Sequence, residues 1–230
     1  MANIGHKQKY NEHKYQILIS AMKLFLEKGY LQTTVIDIAK EAGVDKNTVF
    51  YVFKDKETLL SMIVKHVVDC QFNVVKGVLK ETTDNKLYLY AVESSLQLYM
   101  AESSEHLREM YNVSYSLIKP ATVIYDTITK KLSDIFKDYN PTFEMKDYYE
   151  LELAVSGIMR SFMTVPCDNY LTIDNKIKRF LQTVFLIFNI PSKEIEKTLD
   201  FAKKIDYINL IKQTKRELQG FVENKLKEEL

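Results

Sequence analysis

Apolar residues recur at helical intervals along most of the chain, and the first clear case lies between Tyr15 and Tyr30. The residues of its apolar face are Ile17, Ala21, Leu24 and Phe25. Because Ala21, Leu24 and Phe25 lie four, seven and eight positions after Ile17, the four residues share one side of a helix. Gly29 follows Lys28 where a left-handed residue commonly ends a helix, so the pattern predicts a first helix that ends near Lys28.

The next stretch, TTVIDIAKEAGVDKNTVFYVF, predicts two short helices joined by a tight turn. The hydroxyl of Thr34 is placed to cap the first of them, and Asp37 is placed to return the bond. Gly43 permits the positive φ of a tight turn, and Asp45 is a good N-cap for the second helix. Helices this short are marginal on their own, so they must pack on the first helix. The residues placed to do so are Ile38, Ala39, Val49 and Phe53.

Helical patterns also cover the rest of the chain. The stretch KDKETLLSMIVKHVVDC opens a long fourth helix, and five more segments lie between Leu87 and Ile190, with the four prolines at their edges. One of these segments is SEHLREMYNVSYSLI. Residues 192–230 are strongly charged and predict one or two amphipathic helices that pack through a narrow stripe. The stripe consists of Ile195, Leu199, Ala202, Leu218, Phe221 or Val222, and Leu226.

Composition supports a helical protein. With six glycines and four prolines in 230 residues, the chain has few of the breaker residues that separate strands, so the expected fold class is all-α. The predicted domains are a three-helix unit over residues 1–56 and a larger helical domain over residues 57–230. No apolar run approaches the ~18 residues of a membrane span and no signal-peptide pattern opens the chain, so we expect a cytoplasmic protein without a membrane partner.

Motifs for catalysis are scarce. The sequence has no Gly-rich phosphate loop, no nucleophile elbow and no paired carboxylates with a histidine partner, so we predict neither an enzyme nor a cofactor. Cys70 and Cys167 are too few for a disulfide framework and predict buried, reduced thiols. His66 and Cys70 share one helix face, but two ligands do not make a metal site, and we predict no metal.

The outward face of the third helix is the most informative feature of the sequence. It carries Lys46, Asn47, Phe50 and Tyr51, and Lys54 and Lys56 follow. A helix held at an angle by a glycine turn, with polar residues at its N-terminal end, has the width to enter the major groove of DNA. Residues 1–56 also carry nine lysines against six acidic residues. The alternative is that the two helices are plain packing and the excess charge is a solvated surface.

The run TTVIDIAKEAGVDKNTVFYVFKDKETLL resembles the DNA-binding signature of TetR-family transcriptional regulators, and the likeness covers about residues 10–62. It implies an N-terminal helix–turn–helix domain that binds double-stranded DNA and a larger domain that dimerises and usually encloses an effector. Lys46 and Asn47 align with positions that reach base edges, where lysine prefers guanine and asparagine prefers adenine. The residues that align with phosphate contacts are Thr34, Thr48, Tyr51 and Lys56.

Two residues depart from the family pattern. Phe50 stands where tyrosine is usual, and Ile36 stands where a polar or basic residue is common. Both are placed to touch thymine methyl groups, which predicts an A·T-rich operator. The alternative is that Ile36 is a neutral surface residue and Phe50 packs partly inward. No arginine precedes Arg108, so guanine is not read by a guanidinium from this region.

The resemblance also implies roles for the second domain. In the family, the helices that correspond to YYELELAVSGIMRSFMTV and IKRFLQTVFLIFNI form a four-helix bundle with a second copy, so the resemblance implies a homodimer. Alternatively, both helices are monomer core. Residues on segments that line the effector cavity in relatives are Tyr90, Tyr99, Met100, Met110, Tyr111, Tyr115, Tyr125, Met159 and Met163. The implied function is a repressor released from a palindromic operator by a small apolar or aromatic effector. The alternative is a DNA binder regulated by a protein partner, without a small-molecule site.

Overall fold

The structure, a computed structural model, describes the backbone of residues 2–228 and the side chains of residues 8–220. That part of the chain contains no strand, so the predicted all-α fold class is confirmed. The helices are α1 (Ala2–Lys28), α2 (Val35–Glu41), α3 (Lys46–Phe53), α4 (Lys56–Leu79), α5 (Lys86–Glu102), α6 (Glu105–Ser114), α7 (Ile118–Phe136), α8 (Met145–Thr164), α9 (Ile173–Ile187), α10 (Ser192–Ala202) and α11 (Tyr207–Glu228). The expected stripe residues Phe221, Val222 and Leu226 lie outside the described side chains.

The first three helices form the predicted N-terminal unit. In the capping box of α2, the Asp37 N–H donates to Thr34 Oγ1 over 3.1 Å and the Thr34 N–H donates to Asp37 Oδ2 over 2.8 Å. Gly43 adopts a φ of +64° in the turn before α3. The predicted inward-facing residues are all buried: Ile38, Ala39, Val49 and Phe53. Asp45 occupies the N-cap of α3, but its side chain makes no capping hydrogen bond.

Gly29 ends α1 and lies against the C-terminal part of the chain. Its φ of +85° is a conformation that favours glycine. Glu109 of α6 faces it, and Glu109 Oε1 accepts a hydrogen bond from the Leu31 N–H over 2.8 Å. A Cβ added at Gly29 would lie 2.8 Å from the same oxygen. A side chain at position 29 would therefore displace the Glu109 carboxylate from Leu31.

One helix boundary differs from the sequence-based expectation. The segment SEHLREMYNVSYSLI, predicted as one helix, is divided, because α6 ends at Ser114 and α7 begins at Ile118. Pro120 has no N–H, so a continuous helix would leave the carbonyl of Ser116 without its partner. In the observed arrangement Pro120 lies in the first turn of α7, where no N–H is needed.

Helix α4 joins the N-terminal unit to the rest of the chain. It buries Leu59 and Leu60 at its beginning and Val75 and Leu79 near its end. It packs against α7 along much of its length, while α5 lies in the centre with every residue of 91–98 buried. No helix in the described residues is long and apolar enough to cross a membrane.

The two C-terminal helices pack back onto this body. Ile195, Leu199 and Ala202 of α10 are buried, as the stripe predicts. Helix α11 packs against α4 and α5 and also reaches α1. Its Tyr207 ring stacks on Tyr99 with the ring centroids 4.5 Å apart, and Thr214 is fully buried. The sequence predicts that these helices pack on the body, but not that α11 touches the N-terminal unit.

Candidate functional site

The outer face of α3 is open to solvent. Lys46, Asn47, Phe50 and Tyr51 are exposed, Tyr51 with 77% of its surface accessible, while Val49 and Phe53 on the opposite face are buried. The Lys46 ammonium lies 5.8 Å from the centroid of the Phe50 ring. At 40% exposure, Phe50 lies neither fully inward nor fully free. Packing therefore uses one side of α3 and leaves the other side available to a partner.

Residues from α1 and α2 extend this face. Ile36 is 64% exposed, and Thr34 is exposed although its hydroxyl caps α2. Thr48 is half-buried. Tyr10 of α1 contacts Tyr51 edge to face, with the ring centroids 6.0 Å apart. Sequence reasoning missed Tyr10, because its spacing from α3 along the chain carries no signal of that contact.

Two acidic residues of α2 near this face are neutralised by ion pairs with lysines of α1. On α2, Asp37 pairs with Lys28 over 2.8 Å and Glu41 pairs with Lys23 over 2.6 Å. Hydrogen bonds from Lys28 and Thr34 hold the pKa of Asp37 well below its usual range. Lys40 of α2, Lys46 of α3 and Lys54 directly after α3 are exposed and make no ion pair within the described residues. The face therefore presents unneutralised cations to an anionic partner such as a phosphate backbone.

Lys56 has a role inside the protein. Its ammonium donates to the carbonyls of Tyr30 and Thr33, each over 2.9 Å, and lies 4.0 Å from the centroid of the Tyr30 ring. Burial lowers the pKa of Lys56. The side chain thus ties the α1–α2 turn to the beginning of α4. Contact of this ammonium with a phosphate would break both hydrogen bonds, and at the N-terminus of α4 the Asp55 carboxylate already accepts from the Thr58 N–H over 2.7 Å.

A cavity of about 580 Å³ lies between α1, α4, α6 and α11. Its walls include four residues singled out from the sequence, which are Met100, Met110, Tyr111 and Tyr115. Leu218 and Gln219 of α11 and Met22 and Leu26 of α1 also line it, together with further residues of α4 to α7. Sequence reasoning missed these residues, because only the tertiary packing of α11 and α1 brings them to the cavity.

The other five aromatic and methionine candidates lie elsewhere. Tyr90 packs edge to face on Phe136, and Tyr99 stacks on Tyr207. Tyr125 contacts Tyr149 between α7 and α8. Met159 and Met163 are buried in the main hydrophobic core. The structure therefore brings four of the nine candidates together around one space.

Buried polar groups extend inward from Tyr115 and Gln97, which both line this cavity. Tyr115 donates to Gln97 Oε1 over 3.1 Å, and Gln97 Nε2 donates to Glu93 Oε1 over 2.8 Å. Glu152 receives a hydrogen bond of 2.5 Å from the Ser156 hydroxyl. Burial raises the pKa of Glu93 to about 7, and burial together with the nearby Glu93 raises that of Glu152 to about 8.

Helix α6 carries cavity residues and also contacts the N-terminal unit. Glu109 accepts from the Leu31 N–H, and His106 Nδ1 lies 3.0 Å from the carbonyl oxygen of Leu26. Just beyond α6, the Lys119 N–H donates to Glu57 Oε1 over 2.8 Å. The Lys119 ammonium bonds to Asp55. Helices α6 and α7 therefore contact the α1–α2 turn and the beginning of α4, respectively, so a movement of either would be felt there.

The structure offers little to a metal ion. His66 and Cys70 lie on successive turns of α4, and burial raises the pKa of the Cys70 thiol to about 11. Among the described side chains, no group of three or more His, Cys, Asp or Glu residues is arranged to hold a metal.

The comparisons with known proteins agree with this geometry. A family model described as bacterial regulatory proteins, tetR family, matches residues 17–63. The chain is 41% identical over 58 residues to the transcriptional regulator HbdR of Aromatoleum sp., which covers 25% of each protein. It is 24% identical over 195 residues to IcaR, a negative transcriptional regulator of Staphylococcus epidermidis, which covers 79% of this chain and 100% of IcaR.

Structural likeness extends over more of the chain. RolR in complex with its ligand resorcinol superposes with a TM-score of 0.67 and 14% identity over 84% of this chain and 95% of RolR. At this identity the likeness concerns the fold. The chain spans a quarter of the length of HbdR and 51% of the length of a further curated relative.

The buried carboxyl pair predicts a pH dependence of stability. Both carboxyls bind protons more tightly in the folded state than in the unfolded chain, where such a group titrates near 4.5. The contribution of these two carboxyls to the free energy of unfolding should therefore be largest below pH 4.5. It should be lost as the pH rises through about 7 and 8. Glu152→Gln, which stays neutral, should flatten this decline by on the order of 3 kcal/mol between pH 5 and pH 9.

Urea unfolding at fixed protein concentration between pH 5 and pH 9 measures this difference. Glu150→Gln, at an exposed position of the same helix, is the matched control and should keep the decline of the wild type. Parallel curves for the wild type and Glu152→Gln would contradict the assignment.

Proposed function

Because the chain belongs to the TetR family of bacterial regulatory proteins, we propose that it is a cytoplasmic, dimeric DNA-binding repressor that a small apolar molecule releases from a palindromic operator. The observation that carries this proposal is the open face of α3, which presents an amide, a phenol and the Lys46 ammonium on a helix whose other side is packed. Repression, rather than activation, follows the likeness to the negative regulator IcaR.

We propose a separate DNA contact for each exposed group on and near α3. Lys46 and Asn47 lie at the N-terminal end of α3, where side chains of a recognition helix reach base edges. Ile36 and Phe50 offer apolar surface beside them and suit thymine methyl groups. The groups proposed to contact phosphates are the hydroxyls of Thr34, Thr48 and Tyr51 and the N-terminal end of α4 at Lys56.

Helices α8 and α9 supply the proposed dimer surface. Apolar side chains remain exposed along them, including Tyr149 and Leu153 of α8 and Leu186 of α9. An apolar stripe of this kind on a monomer is typical of a surface that a partner covers. A twofold pair would place two copies of α3 on one face, which suits successive half-sites of a palindrome.

The cavity favours a small-molecule effector over control by a protein partner alone. Its volume of about 580 Å³ lies in the range of small-ligand sites, and its walls are mostly apolar. Residues of α1, α4 and α6 share these walls, so a bound ligand contacts the helices that position α3. We propose that binding shifts the population toward a spacing of the two α3 helices that does not fit successive grooves.

Substitutions on the open face of α3 test the DNA-binding proposal. Lys46→Ala and Asn47→Ala should each weaken binding to a duplex selected from a random pool by roughly tenfold, because a base contact contributes about 1–3 kcal/mol. Lys193→Ala, an exposed lysine on α10, should leave the affinity unchanged.

Fluorescence anisotropy at several salt concentrations measures these affinities. A selected site rich in G·C pairs would count against the methyl contacts of Ile36 and Phe50. A wild-type protein that binds no duplex at low salt would overturn the whole proposal.

A charge on α8 tests the dimer. Leu153→Glu should convert the protein to a 26.9 kDa monomer, because two buried glutamates would face each other across the twofold axis. The control is Ile208→Glu on α11, where Ile208 is 67% exposed and lies outside the proposed surface. Sedimentation velocity distinguishes the two states. A Leu153→Glu variant that sediments as a dimer would show that α8 lies outside the interface.

The contact between α6 and the N-terminal unit makes a further prediction. Glu109→Ala removes the bond to the Leu31 N–H and should weaken operator binding about three- to tenfold, since the orientation of the N-terminal unit is then less restricted. Glu105→Ala, at an exposed position of the same helix, should have no effect. Equal operator affinities for the two variants in an anisotropy titration would rule out a positioning role for Glu109.

A further inference from the structure

A buried amide lies against the cavity wall with one polar atom unused. Gln71 of α4 is fully buried, and its Nε2 lies 2.6 Å from the Tyr111 hydroxyl and 3.2 Å from Met100 Sδ. Its Oε1 has no hydrogen-bond partner. An unpaired buried amide oxygen is costly, so this atom is suited to a group that arrives from outside the protein.

The two possible orientations of the Gln71 side-chain amide lead to the same result. If oxygen and nitrogen of Gln71 exchange places, Tyr111 donates to the oxygen and the NH₂ group becomes the unpaired one. In either orientation one polar atom of Gln71 lacks a partner. A group that can both donate and accept would satisfy both arrangements.

Two residues of the cavity wall connect the amide to the cavity. Met100 and Tyr111 both line it, and both contact Gln71. The Tyr111 hydroxyl lies 3.6 Å from Met100 Sδ, which is a weak acceptor. Burial raises the pKa of Tyr111, so its hydroxyl keeps its proton. Because a methionine side chain is flexible, movement of the Met100 thioether away from Gln71 Nε2 would open the Gln71 amide and the Tyr111 hydroxyl to a ligand in the cavity.

We propose that Gln71 and Tyr111 form a subsite for a hydroxyl group, so that the ligand of this cavity is an apolar alcohol or phenol. A hydroxyl offers one donor and two acceptor positions, which suits Tyr111 and either orientation of Gln71. A carboxylate fits poorly, because its charge would be buried among mostly apolar walls and it cannot donate to Gln71 Oε1. The inference rests on the effector cavity of the proposed function and adds the chemical class of the ligand.

A pair of matched probes tests this subsite. 4-Propylphenol and propylbenzene differ only in the hydroxyl, and both are small enough for a cavity of about 580 Å³. Isothermal titration of the full-length protein should show that the phenol binds about tenfold more tightly than the hydrocarbon, as expected for a hydrogen bond to a buried unpaired group. Tyr111→Phe and Gln71→Leu should each lower the affinity for the phenol about tenfold and leave that for propylbenzene unchanged.

Tyr125→Phe, which removes a hydroxyl from a tyrosine outside the cavity, is the control and should keep the preference. Thermal melting confirms that each variant is folded, and Tyr111→Phe alone suffices if Gln71→Leu does not fold. The proposal is overturned if the wild type binds both probes equally, if it binds neither, or if the preference persists in Tyr111→Phe.

Operator binding without any probe is measured on the same samples. A protein that prefers the phenol but ignores DNA keeps the subsite and loses the proposed function. A protein that binds its operator but neither probe keeps DNA binding and loses the subsite.

Discussion

The N-terminal unit depends on burial that its two shortest helices cannot supply for themselves. Helices α2 and α3 have seven and eight residues, too few to persist alone in water. Their stability comes from Ile38 and Phe53, which pack into a core shared with α1 and α4. Lys56 reinforces this core because its ammonium binds the carbonyls of the α1–α2 turn. The position of α3 is therefore tied to the first turns of α4.

Because of this dependence, the two predicted domains share a hydrophobic core at their boundary. One hydrophobic cluster includes residues of α1 to α3 and continues through α4 into the C-terminal helices. The cavity lies beside this junction, with walls from both sides of it. A ligand there would touch the elements that position α3 directly, so coupling needs no long chain of intervening residues. Helix α11 belongs to the same arrangement, since it packs on α1 and α4 and closes one wall.

The sequence predicts the local features of this molecule better than it predicts contacts between residues that are far apart in the chain. The capping box of α2, the glycine turn and the buried face of each short helix follow from spacing over a few residues, and the structure agrees with them. The inward turn of Lys56 depends on two carbonyls more than twenty residues away, so spacing carries no sign of it. For the same reason tyrosine and methionine content indicates an adaptable interior but does not say which side chains border a cavity. Tyr99 and Met100 are neighbours in sequence, yet one stacks on α11 and the other lines the space.

Gly29 and Glu109 constrain each other although eighty positions separate them in the chain. The glycine leaves room for the carboxylate, and the carboxylate uses that room to bind the Leu31 N–H. A larger residue at position 29 would have to adopt the same positive φ, and its Cβ would push the Glu109 carboxylate away from the Leu31 N–H. The missing side chain of Gly29 is therefore as much a part of this contact as the Glu109 carboxylate is.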